Sequence, residues 1–311
     1  MPRLENAQMV QPGFTSADRK RSGGLKEAVI KGLLLSAAST SILIVLLIFL
    51  FLGREAIPFI KEPGLSALFG KLWIPVSFKQ ELFGTIPLLT GSLLVTALAT
   101  IIMVPLGVTS AVYISELALD KEREFLKPFI EILAGIPSVV LGMFGLVVLG
   151  PIIKDLFNLS TGLTALTAAV LLALMAIPTV ISISEEAIRS VPQSYREASL
   201  SLGASKLQTI WQVTIPAALP GIFAAIMLGI GRVVGETMVV LMVTGNAAKI
   251  TMDPFTSVRT MTATIAAEMG EVAFGSQHYQ ALFLVGITLL ILTFGLNLAV
   301  QRIIRKYSIR E

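Results

Sequence analysis

The residues best placed to do chemistry lie inside an otherwise apolar run, Gly229-Ile230-Gly231-Arg232-Val233-Val234-Gly235-Glu236-Thr237-Met238. A charged side chain at hydrocarbon depth costs at least ~2.5 kcal/mol on insertion scales, so it faces a partner or a water-filled path. Arg232 follows Pro216 by 16 residues, roughly 24 Å of helix at about 1.5 Å per residue. Glu236 is four residues further on, and on a continuous helix the two share a face. Two readings are open. One is a structural ion pair, with Gly231 and Gly235 as a Gly-xxx-Gly pair that lets another helix approach closely. The other is transient binding of a tetrahedral oxyanion, whose oxygens fit the guanidinium fork. A single arginine countered by Glu236 would hold that anion weakly, as passage requires. The carboxylate also discriminates: it repels a bare anion but accepts a hydrogen bond from one that keeps a proton, as phosphate does near neutral pH and sulfate does not. Glu131, in another apolar run, is a second acid that can line such a path or sit at its cytoplasmic mouth.

Other chemistry finds few residues. The chain has no cysteine, which excludes disulfides, thiolate metal sites and thiol nucleophiles. The single histidine, His278, follows Gly275-Ser276-Gln277 and reads as an ordinary loop residue, because a metal site needs several converging ligands. No nucleophile–base pair or carboxylate dyad is visible, so no catalytic residue, metal or cofactor is expected, and an intramembrane enzyme is disfavoured. Gly64 to Lys71 superficially suggests a phosphate-cradling loop. It has one residue too many between its glycines, and Leu72 stands where Ser or Thr is required.

The elements that must position these residues are membrane spans. The 311 residues are 54% hydrophobic and 14% charged, with mean hydropathy +0.83, whereas a soluble domain carries about 25% charged residues. The net charge of +4 therefore reads as inner-loop Lys and Arg of a membrane protein rather than as a nucleic-acid footprint. Six runs reach the ~20 apolar residues a span needs: about 30–52, 85–114, 125–153, 162–183, 213–245 and 281–304. The second, third and fifth exceed the minimum, which predicts tilting or a portion that does not span. The first is too long for a signal-peptide core and is expected to remain uncleaved. With both termini inside, 16 Lys and Arg fall on inner segments and seven on outer ones, leaving Arg232 in its span. The positive-inside rule therefore places both termini in the cytoplasm. The expected organisation is a polar tail over 1–29 and a transmembrane domain over 30–311. Pro105, Pro137 and Pro178 are expected to mark helix bends.

The loop 184–212 predicts three helical pieces. A helix extension begins at Ser184 and ends at Val191-Pro192. A second piece runs from Pro192 to Leu200 and is broken by Ser201-Leu202-Gly203, glycine permitting positive φ after a helix. A third starts at Ala204-Ser205-Lys206. A short helix along a membrane face can dock into a groove of a soluble partner. Glu197-Ala198-Ser199, three residues, Gly203, nine residues, then Val213-Thr214-Ile215-Pro216 resembles the EAA signature of ABC-importer permeases. That signature runs Glu-Ala-Ala, three residues, Gly, nine residues, Ile, one residue, Leu-Pro. The spacing matches throughout, with Ser199, Val213 and Ile215 as changes that keep size or apolarity. The resemblance implies that the loop is the coupling helix seated on an ATPase subunit, with Glu197, Ala198, Ser199 and Gly203 as contact and turn positions.

The run from Gly229 to Met238 with Thr244-Gly245-Asn246, and Ile130 to Gly145, resemble the phosphate branch of these importers, the PstC type. The resemblance extends over nearly all of spans two to six. It implies an all-α, polytopic type I importer fold of six transmembrane helices in the bacterial inner membrane. It also implies pairing with a PstA-type permease, an ATPase dimer below, a phosphate-binding protein outside, and inorganic phosphate passing beside Arg232, Glu236 and Thr237. Membrane lipid is the remaining surround, and no nucleic acid is expected. A permease for sulfate or molybdate is the nearest rival. A channel or secondary transporter would leave the coupling loop unexplained.

Overall fold

The computed structural model describes residues 24–77 and 80–307. Of the expected tail, 1–23 lie outside the described residues, as do Phe78, Lys79 and 308–311, including Arg310; 24–29 belong to the first helix. The described chain is helical, with one short antiparallel ribbon. Its elements are α1 (Gly24–Phe59), β1 (Trp73–Ile74), β2 (Leu82–Phe83), α2 (Ile86–Val112), α3 (Asp120–Gly135), α4 (Ser138–Phe144), α5 (Gly150–Leu156), α6 (Ala165–Arg189), α7 (Gln193–Ser201), α8 (Lys206–Thr209), α9 (Ile215–Gly235), α10 (Met238–Val243), α11 (Met261–Glu268) and α12 (Gln277–Tyr307). Single π-helical turns, Gly145–Leu149 and Ile210–Thr214, join α4 to α5 and α8 to α9.

Among the described residues, six helical stretches are long and apolar enough to cross a membrane: Glu27–Phe69, Ile86–Leu117, Ser138–Leu156, Ala165–Arg189, Lys206–Gly235 and Gln277–Leu298. The number agrees with the sequence reading, and the largest boundary differences lie in spans one, three and five: the first helical stretch runs on to Phe69 rather than ending near Leu52. The third span starts at Ser138 rather than near Phe125. Pro137 has no N–H to donate and disfavours the α conformation at the residue before it, so α3 stops at Gly135 and Ile136 is extended. The freed α3 carries Asp120, Lys121, Glu122, Arg123, Glu124, Lys127 and Glu131, too many charges for hydrocarbon. The fifth span ends at Gly235 rather than Gly245, and α10 is a separate helix. Pro105 and Pro178 lie inside α2 and α6, which continue through them.

The described chain divides between Phe51 and Leu52 into two compact units. In the first, the apolar side chains of α1 are exposed. The Ser36 and Thr40 hydroxyls donate to the Leu33 and Ser36 carbonyls of their own helix at 2.8 Å each, so neither needs an outside partner in lipid.

In the second unit α6 is the central helix, packed on α2 and α9. Small residues set the approach. A Cβ on Gly107 would meet Val180 at 2.8 Å, one on Gly229 would meet Val180 at 2.7 Å, and one on Gly221 would meet Ala187 at 2.4 Å. Lipid offers no hydrophobic drive between helices, so close backbone approach of this kind supplies the packing energy. Val95, Ala99, Met103, Leu171, Leu172, Val180 and Val233 fill the layer between. One end of α2, α6 and α9 is closed by Ile114, Ile188, Val191 and Ile210 beside α7 and α8. At the other end the β1–β2 ribbon, with Trp73 opposite Phe83, packs with Phe59, Leu88, Met261, Tyr279 and Leu282.

Candidate functional site

Arg232 stands in the last turn of α9. Its Nη1 donates to Thr179 Oγ1 of α6 at 3.2 Å, its one side-chain hydrogen bond among the described residues. The guanidinium has five N–H donors, so most remain available. The side chain opens on a cleft of about 440 Å³ between α9 and α12, which Asn297 and Gln301 also line.

The expected ion pair between Arg232 and Glu236 is absent among the described residues. Because α9 ends at Gly235 and Glu236 is extended (φ −72°, ψ 133°), the shared helical face does not exist at this point. Glu236 Oε1 instead accepts the backbone N–H groups of Met238 (3.0 Å) and Val239 (3.3 Å). These are among the orphan donors that every helix start carries, here those of α10. The Glu236 carbonyl accepts from Thr262 Oγ1 of α11 at 2.9 Å, and Thr237 Oγ1 donates to the Gly235 carbonyl at 3.4 Å. Glu236 and Thr237 thus form a two-residue interruption stitched to α11. The expected Gly231–Gly235 contact is also absent among the described residues: a Cβ at either would meet nothing within 4 Å. Gly221 and Gly229 make the close approach instead. Glu131 is exposed on α3, with no hydrogen bond or ion pair to Arg232 or Glu236 among the described residues.

The loop 184–212 folds into the three expected pieces. The Gly203 N–H closes α7 by donating to the Leu200 carbonyl at 3.0 Å, with Gly203 at φ +85°. A Cβ there would meet nothing, so the backbone rather than space selects glycine. Ser205 caps α8 reciprocally with Gln208, a capping box. Glu197 and Ala198 are exposed, while Ser199 Oγ lies 2.9 Å from Thr209 Oγ1 and ties α7 to α8.

Two further clusters join elements that are far apart along the chain, Arg196 with Glu116 and Trp73 with Glu268, so local spacing gave no signal for those bonds. Arg196 pairs with Glu116 at 2.7 Å, the two side chains 15% and 11% exposed. It also donates to the Val191 and Ile188 carbonyls at 2.6 and 2.9 Å. One guanidinium therefore joins α7 to the end of α6 and to the π-helical turn Tyr113–Leu117 that follows α2. His278 is not the loop residue expected. It lies in the first turn of α12, with Nε2 2.8 Å from Glu268 Oε2. Glu268 also receives Arg259 at 2.9 Å and Trp73 Nε1 at 3.1 Å.

Residues 103–309 match the family described as "Binding-protein-dependent transport system inner membrane component". The chain is 37% identical to the probable ABC transporter permease protein YqgH of Bacillus subtilis, over 84% of each chain. It is 34% identical to the phosphate transport system permease protein PstC of Mesorhizobium japonicum, over 77% of each. With PstC of Haemophilus influenzae it shares 31% identity over 82% of this chain and 87% of that one. In fold it is similar to a chain of the inward-facing MetNI methionine ABC transporter, with TM-score 0.54 and 22% identity over 72% of this chain and 94% of that one. A chain of a bacterial ABC transporter that imports alginate gives TM-score 0.58 at 16% identity over 91% and 98%. The chain belongs to the binding-protein-dependent transport system inner membrane components, as the non-catalytic, multi-pass permease subunit of an ABC importer.

Proposed function

We propose that the chain is the PstC-type permease of an ATP-driven phosphate importer. Residues 30–311 form its permease domain, both termini are cytoplasmic, and Glu197, Ala198, Ser199 and Gly203 belong to the element that couples to ATP hydrolysis. Its partners are a PstA-type permease, an ATPase dimer and an extracytoplasmic phosphate-binding protein. The single observation that carries the reading is Arg232: a guanidinium in the span Lys206–Gly235 with one side-chain hydrogen bond among the described residues, to Thr179, opening on a cleft that Asn297 and Gln301 also line. Such a charge at this depth needs a counterpart, and its planar fork suits phosphate oxygens. The two PstC relatives support phosphate over other oxyanions.

The interruption at Glu236 and Thr237 supports the same place. Non-helical backbone at membrane depth is tolerated where it is buried in protein or lines a cavity, and broken helices recur at the substrate sites of transporters. In this reading Arg232 contacts the anion, while Glu236 and Thr237 hold the break beside it. Glu131, on α3, is proposed for the inner mouth rather than for the Arg232 site.

Reconstitution with the ATPase, the second permease and the binding protein gives ATP-dependent uptake of radiolabelled phosphate. Arg232→Gln lowers that uptake at least about tenfold, the scale of one lost charge-assisted contact of ~1.4 kcal/mol or more, and excess sulfate does not compete. Uptake unchanged in Arg232→Gln, or equal competition by sulfate, overturns the reading.

A further inference from the structure

Asn297 and Gln301 are exposed on α12 and make no hydrogen bond among the described residues, yet both line the cleft into which Arg232 opens. They are four residues apart, so they stand on one helical face about 6 Å apart along the axis. Asn297 falls within the span Gln277–Leu298. A carboxamide facing lipid there leaves two donors and an acceptor unmatched, and an unsatisfied polar group in hydrocarbon costs several kcal/mol. The hydroxyls elsewhere on this helix avoid that cost locally: Thr288 and Thr293 donate to carbonyls of their own helix at 2.8 and 2.9 Å. Asn297 and Gln301 do not, and both sit where the cleft reaches from Arg232.

We infer that Asn297 and Gln301 are anion contacts that extend the path beyond Arg232 along α12. This inference rests on the phosphate-importer reading and adds the next two steps of the route. In each carboxamide the NH₂ donates to phosphate oxygens and the carbonyl accepts a hydrogen bond from the P–OH. Both groups are neutral, so they pass an anion on without trapping it as a second arginine would. With both termini cytoplasmic, α12 runs inward, and the sequence Arg232, Asn297, Gln301 descends toward the inner face.

The chain contains no cysteine, so single cysteines report without background from this subunit. In the reconstituted transporter, Asn297→Cys and Gln301→Cys are expected to react with a water-soluble anionic methanethiosulfonate at least about tenfold faster than Leu298→Cys. Leu298 lies at nearly the same depth, about 100° round the helix from Asn297, and is not a wall of the cleft. Millimolar inorganic phosphate during turnover is expected to slow both reactions several-fold. Asn297→Leu is expected to lower phosphate uptake at least about fivefold, with the complex still co-purifying. Reactivity at 297 and 301 no greater than at 298 in every nucleotide state overturns the inference and assigns the amides to lipid or a subunit interface. Loss of the complex in Asn297→Leu assigns that amide to the interface and overturns it equally. If the unsubstituted transporter takes up no phosphate, both readings fall together; uptake with unreactive cysteines sinks only this one.

Discussion

At the scale of the residue, the clearest energetic statement concerns Arg196. Its contact with Glu116 is short and largely shielded from water, where breaking a buried pair by removing one partner costs about 3–5 kcal/mol and removing both costs much less. Arg196→Ala is therefore expected to lower the Tm of the detergent-solubilised protein clearly, and Glu116→Ala to do the same. The double variant should be less destabilised than their sum by about 1–3 kcal/mol. Additive losses would show that the pair contributes nothing as a pair. Neither this contact nor the Trp73–Glu268 bond was legible in the sequence, since they join residues 80 and 195 positions apart. No local spacing rule reaches that far. Arg232 itself was legible because a charge in an apolar run is costly wherever the chain folds. What it touches was not: the i,i+4 rule gave Glu236, and the partner is Thr179, 53 residues earlier.

At the scale of the element, that difference has one cause, a helix that ends sooner than its hydropathy. Composition over Val213 to Gly245 stays apolar across the interruption, so periodicity does not register it. Length did carry a signal. Two of the three spans that were too long for a bilayer proved to hold a non-spanning piece, α3 before Pro137 and α10 after Thr237. The interruption gives Glu236 a positional role, because its side-chain oxygen caps α10. Losing such a cap costs about 0.5–2 kcal/mol. Glu236→Ala is thus expected to reduce both Tm and uptake. Glu236→Gln, which keeps a side-chain carbonyl acceptor and loses only the charge, should retain both within about twofold. If Gln proves as damaging to uptake as Ala while leaving Tm intact, the carboxylate charge acts on the anion and the cap is incidental. Sulfate competition in the same variants then reads whether the charge sets selectivity.

At the scale of the whole molecule, the fold class, the number of spans and the three-piece loop were all legible, because each rests on composition or local backbone chemistry. The surfaces left open by the chain are a different matter and point to assembly. At the end carrying α7 and α8, Leu202 is 90% exposed, and Tyr195, Leu200 and Leu207 stand exposed near it. None of the described residues covers them, and in the proposed orientation this end faces the cytoplasm. Apolar side chains gathered on the loop proposed above for ATPase docking supply what a groove in a soluble partner needs. Full burial of a leucine contributes about 1.5–3 kcal/mol, which corresponds to roughly a 10–150-fold change in affinity. Leu202→Asp is accordingly expected to weaken ATPase binding by at least that range, since a carboxylate adds its own desolvation cost. Its Tm should stay near that of the unsubstituted permease, because Leu202 is almost wholly exposed. The measurement is the Kd between the solubilised permease pair and the isolated ATPase. Binding that survives unchanged would mean the motor seats elsewhere, and α7 would then be a connector braced by Arg196 rather than the point where ATP-driven motion enters the membrane.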